Sequence, residues 1–72
     1  MLSNTTYNLM ETASVISKGL HRYPTFEKDA HDCQQCNQIW SEMKQADQRQ
    51  LDRIVNHLKQ HLDKDAQPAR AA

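Results

Sequence analysis

Apolar positions recur at alternating steps of four and three from the start of the chain, at Leu2, Thr6, Leu9, Ala13, Ile16, Leu20 and Tyr23. That spacing lines one stripe of an α-helix and makes the seam of a helical bundle. Ser3 or Asn4 can cap the start by accepting a backbone N–H, and Pro24 disfavours helical backbone at Tyr23. The pattern therefore predicts a first helix over residues 4–22. Gly19 inside it costs about 1 kcal/mol relative to Ala, which implies either a frayed last turn or a neighbouring backbone that needs the space.

The period resumes at Phe26, Ala30, Cys33, Cys36, Trp40, Met43, Asp47, Leu51, Ile54, Leu58 and Leu62. Thr25 or Asp29 can cap this second run, and no Gly or Pro interrupts it, so a second helix is expected over residues 25–62. The pattern does not decide whether that helix is continuous or breaks near Asp29 to Asp32. Ile39, Ala46 and Val55 widen the stripe, while Glu42, Lys44, Gln48, Arg49, Asp52, Arg53 and Lys59 make a solvated face. Residues 1–66 read as one helical domain, with 67–72 as a loose tail.

The expected fold is all-α, an antiparallel hairpin of a short and a long helix turning at Tyr23-Pro24. At 1.5 Å per residue the first helix would span roughly 28 Å and the second nearly twice that. Helix one would then cover helix two only to about Ala46, leaving Leu51, Ile54, Val55, Leu58 and Leu62 facing water. Two helices alone cannot close a core at this length. The expectation is a homodimer or higher oligomer that completes a four-helix bundle, with Trp40, Met43, Leu51, Ile54, Leu58 and Leu62 at the interface.

Composition narrows the function classes. Nine Lys plus Arg balance nine Asp plus Glu over 72 residues, and the cations are interspersed with acids, which argues against a nucleic-acid partner. No run approaches the roughly 18 apolar residues of a membrane span, so no membrane partner is expected. Met1 to Thr6 lacks the cationic start and apolar block of a secretory signal, which points to the cytoplasm. Cys33 and Cys36 are too close in sequence to staple a loop of useful size.

The candidate chemistry lies on helix two. Asp47 sits inside the apolar stripe, where an ionised carboxylate needs a partner; it can bind metal, fix helix register, or pair with Arg49 or Arg53 of another chain. Three residues later stands Gln50, a weak ligand. His57 and His61, four apart, can reach one metal ion from a single helix face, with a second copy completing the ligand set, or can be solvated. His21 and His31 flank the expected turn. Cys33-Gln34-Gln35-Cys36 has the spacing of redox dithiols and zinc sites, and also fits plain packing against helix one near Thr12 to Val15. Glu11 lies opposite the seam, solvated in a lone hairpin and a ligand only in a higher oligomer. Tyr23 and Trp40 read as core anchors.

Met10 to Tyr23, a tight turn, and then Ile39-Trp40-Ser41-Glu42-Met43-Lys44-Gln45-Ala46-Asp47-Gln48-Arg49-Gln50-Leu51 resemble the two-helix subunit of rubrerythrin-like and encapsulin-associated ferritins, over about 50 residues and mainly in architecture. The resemblance implies a dimer completing a ferritin-like four-helix bundle with a di-iron ferroxidase site between subunits, ligated by a Glu on the first helix and Glu-x-x-His on the second. Carried over, Asp47 matches the second-helix acid, Gln50 stands at the His and Ser17 near the first-helix acid. One of three ligand types is kept. The resulting expectations are an iron- or zinc-binding bundle using Asp47, Gln50, His57 and His61, a non-catalytic assembly module, or a thiol switch at Cys33 and Cys36. Whether the chain is an enzyme stays open.

Overall fold

The computed structural model describes residues 2–66 and contains two α-helices in an antiparallel hairpin, α1 (Asn4–Asp29) and α2 (Gln34–Ala66). The described residues include no strand. The expected tail at 67–72 lies outside them.

α1 begins where the sequence predicts. Ser3 is its N-cap, extended in backbone, with its hydroxyl accepting from the Thr6 amide at 3.2 Å. The end is different. α1 does not stop at residue 22 but runs through Pro24 to Asp29, so the hairpin does not turn at Tyr23-Pro24. A proline in a helix interior removes one i→i−4 hydrogen bond and crowds the preceding turn. Opposing that cost is the aromatic packing on either side of it. Tyr23 stacks on Trp40 of α2 and Phe26 packs tilted against it, at ring-centroid distances of 6.1 and 5.1 Å, and the two meet edge-on at 6.2 Å. Ending the helix at Pro24 would turn Phe26 away from this cluster.

The turn instead falls at residues 30–33, built without Gly or Pro. The Ala30 amide donates back to the Phe26 carbonyl at 3.0 Å, and the Cys33 amide to the Ala30 carbonyl at 2.9 Å. The Asn37 side-chain amide reaches the same Ala30 carbonyl at 2.6 Å, tying the first turn of α2 to the end of α1.

This change of turn alters the helix lengths. α1 has 26 residues and α2 has 33, so the predicted near-twofold mismatch is absent and the first helix accompanies the second along almost its whole length. Leu51, Ile54 and Leu58 are half-buried against α1 rather than left to water, while Val55 and Leu62 stay exposed at 42% and 36%. Gly19 neither frays α1 nor makes room for a neighbour, since a Cβ there would meet nothing within 4 Å.

The result is a rod of 63 × 16 × 13 Å. Its interior is thin. Among the described residues only Thr6 and Tyr23 are buried, and none of these is in α2. Everything else on the seam is open on at least one flank.

Candidate functional site

In the half of the rod nearer the turn, Asp47 faces α1 and its carboxylate accepts a hydrogen bond from the Tyr23 hydroxyl. Tyr23 is 5% exposed, so its hydroxyl needs a partner and Asp47 provides one. The hydrogen bond to Asp47, then burial, then the nearby negative charge push the tyrosine pKa above its ordinary value. Nearly one helical turn before Asp47, the Lys44 ammonium lies 3.2 Å from the Glu27 carboxylate across the same seam. Of the roles open to Asp47 in the sequence, the structure shows a contact within the chain, to Tyr23.

A second acid does the same at the open end. Asp65 Oδ2 accepts from the Ser3 amide at 2.9 Å and from the Thr6 hydroxyl at 2.7 Å. The Ser3 amide, then the Thr6 hydroxyl, hold the Asp65 carboxyl below the usual carboxylate range against the opposing effect of burial. Sequence reasoning missed this clasp, although a signal was present. Asp65 follows Asp47 by 18 residues, or five full turns, which places both acids on one line of α2.

The histidines form a separate feature on α2. His57 Nε2 and His61 Nε2 are 3.1 Å apart with rings at 70°. His57 is exposed and His61 half-buried. Beside them runs a groove of about 600 Å³ lined by Leu9, Gln50, Arg53, Ile54, His57 and Gln60 among others. Gln50 therefore joins His57 at this groove and not Asp47, and its side-chain oxygen lies 3.4 Å from an Arg53 guanidinium nitrogen. The four expected metal ligands are split over two places, and no group of three or more His, Cys, Asp or Glu is assembled for a metal among the described residues. Ser17 is half-buried on the seam; Glu11, His21 and His31 are exposed.

The two cysteines lie at the interhelical turn beside Phe26 and Ala30, not opposite Thr12 to Val15 as the earlier turn position implied. Cys33 occupies the cap position of α2. Its carbonyl accepts the first helical bond, from the Asn37 amide at 3.1 Å, and its sulfur accepts from the Cys36 amide at 3.3 Å. Serine or aspartate normally fills that role. Both thiols are free and half-buried.

Trp40 anchors the core, as expected, through its packing on Tyr23 and Phe26. Ile39 and Met43, four apart, are 52% and 42% exposed on one flank of α2, with Val55 and Leu62 on another. No described helix is long and apolar enough to cross a membrane. No protein-family model matches the chain, and no match was found to a curated protein or a solved structure.

Proposed function

We propose that the chain is a self-associating helical module, in which two hairpins pack side by side into a four-helix bundle. The observation that carries this reading is the thinness of the interior. A 33-residue helix that buries no residue completely, yet presents Leu51, Ile54 and Leu58 half-covered and Met43, Val55 and Leu62 exposed, has apolar surface that one partner helix does not enclose. A second copy suits that surface because the charges balance at nine against nine, so two copies do not repel through net charge. In this reading Asp47 serves to fix the stagger of the helices.

Sedimentation velocity on untagged protein tests it. The expected species is a multiple of the 8.4 kDa chain. Replacing Met43 and Leu62 by Asp, both outside the intrachain aromatic cluster, should shift the population to smaller species. A cooperative thermal transition whose midpoint is independent of concentration, in a single-copy species at about 100 μM, would overturn the proposal.

A narrower second reading keeps the ferritin-like kinship and puts a transition metal between subunits. The histidine pair favours it. Two nitrogens on a tetrahedral zinc, at about 2.0–2.1 Å each, stand roughly 3.3 Å apart, close to the 3.1 Å between the His57 and His61 nitrogens. Two copies would supply four such nitrogens. Asp47 belongs to this reading only if it releases Tyr23, and the Arg53 charge near Gln50 opposes a cation in the groove. Elemental analysis of protein purified without chelator or affinity tag decides it: iron or zinc in the wild type, lost in His57→Ala, is the expected result, and metal-free protein sinks it.

A further inference from the structure

The feature least explained by assembly is the dithiol at the tip of the hairpin. A cap position asks for a compact oxygen acceptor, and a neutral thiol is a poor substitute. A thiolate is a much better one. Cys33 has its sulfur aimed at the first turn of α2, where unpaired amides and the helix dipole favour negative charge. Cys36, three residues on, projects from the same turn. Helical geometry puts the two Cα atoms about 5 Å apart, inside the range a disulfide spans.

The two sulfurs are also placed against a recess. A cleft of about 370 Å³ is lined by Phe26, Ala30 and Trp40 on its apolar side and by Asp29 and Asp32 on its polar side, with Cys33 and Cys36 in its wall. An apolar floor with two acids and no lining cation favours neutral or positively charged visitors over anionic ones.

We propose that Cys33 and Cys36 are a reversible dithiol–disulfide centre, with Cys33 attacking and Cys36 resolving, whose exchange partner is a disulfide carrying apolar or cationic flanking groups that seat in the cleft beside Trp40. The Cys33 thiolate attacks one sulfur of the partner disulfide. The partner's S–S bond breaks, a mixed disulfide forms on Cys33, and the departing thiolate takes a proton from water. Cys36 then gives its proton to water and its sulfur attacks the Cys33 sulfur, releasing the second thiolate. The dithiol loses two electrons and two protons, and the partner becomes two thiols.

The asymmetry between the sulfurs follows from their surroundings. The Cys36 thiol, then the Cys36 backbone amide, stabilise the Cys33 thiolate and pull its pKa below the ordinary thiol value. Hydrogen bonding to Cys33, then the Cys33 charge, then burial and the Asp32 charge, push Cys36 up. The proton is kept on the resolving thiol until the first exchange is complete. This centre acts within one chain, so it stands or falls independently of self-association.

The test uses the reduced full chain with two probes, cystamine as a dicationic disulfide and oxidised glutathione as an anionic one. Mass spectrometry follows the products and the fluorescence of Trp40, the single tryptophan, follows the rate. Wild type should end in an internal disulfide. Cys36→Ser should stop at one mixed disulfide on Cys33, and Cys33→Ser should react at least about tenfold more slowly. Cystamine should outpace oxidised glutathione by more than it does with free cysteine, and Asp29→Asn with Asp32→Asn should erase the difference. Equal rates in the two Cys→Ser variants, or wild type ending with two mixed disulfides, would overturn the centre. An unchanged probe ratio between wild type and free cysteine would overturn the assigned partner.

Discussion

The two ends of the rod are held by different means. Near the turn, Tyr23, Phe26 and Trp40 pack their rings together and the Tyr23 hydroxyl finds Asp47. At the open end the contacts are small and polar, with Ser3 and Thr6 donating to Asp65. Close to the turn, the chain connection brings the helices together at little entropic cost, and large rings can then exclude water. Far from it, the connection helps least, and a charged clasp fixes position without burying much apolar area. The lesson is that one end supplies most of the stability and the other supplies alignment.

The largest break in that comparison comes from Trp40→Ala. Removing a ring that contacts two others should cost about 3 kcal/mol or more, enough to unfold a single hairpin at 25 °C, and the midpoint of urea denaturation measures it. Tyr23→Phe leaves Asp47 facing α1 without its donor, and Asp47→Ala leaves a buried hydroxyl unpaired. Each should cost about 1–3 kcal/mol, and the double variant should cost less than the two added together. Additive losses in a double-mutant cycle would show that the pair is not coupled.

Gly19→Ala sharpens the comparison from the other side. The site is open and helical, so the substitution should stabilise by about 0.5–1 kcal/mol without favouring either end. A loss of stability would reveal a close approach at that position.

The smallest effect is the dependence of the clasp on pH. Asp65 has a folded pKa below its unfolded value, so its contribution is present above the usual carboxylate range near 4 and is lost as pH falls through the lowered folded value. Tyr23 has a raised folded pKa, so its contribution is full below about 10 and is lost as pH rises through the raised value. Amide exchange should therefore quicken first at Ser3, Thr6 and Tyr7 in acid and around Tyr23 in alkali. Simultaneous loosening of both ends in acid would contradict the separation.

Much of the hairpin is legible in the sequence. The seam positions of both helices follow from spacing alone, and the Ser3 cap and the Trp40 anchor from residue type. The misplaced turn comes from weighing local against distant forces. Pro24 is the strongest local breaker in the chain, yet the helix continues through it and Phe26 beyond it packs on Trp40. The real turn, Ala30 to Cys33, carries only the weaker signals of Asp29 and Asp32 and depends on Asn37 and a cysteine acting as caps. That one displacement propagated. It exaggerated the uncovered part of α2, set the cysteines against the wrong stretch of α1, and hid the chance for Asp65 to meet Ser3. Asp47 was recognisable as a polar residue needing a partner, but nothing in its neighbours along the chain names Tyr23, 24 positions away.

The five-turn interval between Asp47 and Asp65 also answers a hazard common to repetitive seams. If one helix of this pair slid along the other by seven residues, aliphatic groups would meet aliphatic groups again and little would protest. The two carboxylates would, together: Tyr23 would find Trp40 or Ile54 where Asp47 stood, while Thr6 and its neighbour would forfeit Asp65 in the same step. Paired pegs at matched intervals thus act as a vernier, rejecting near-miss alignments that greasy contacts would accept.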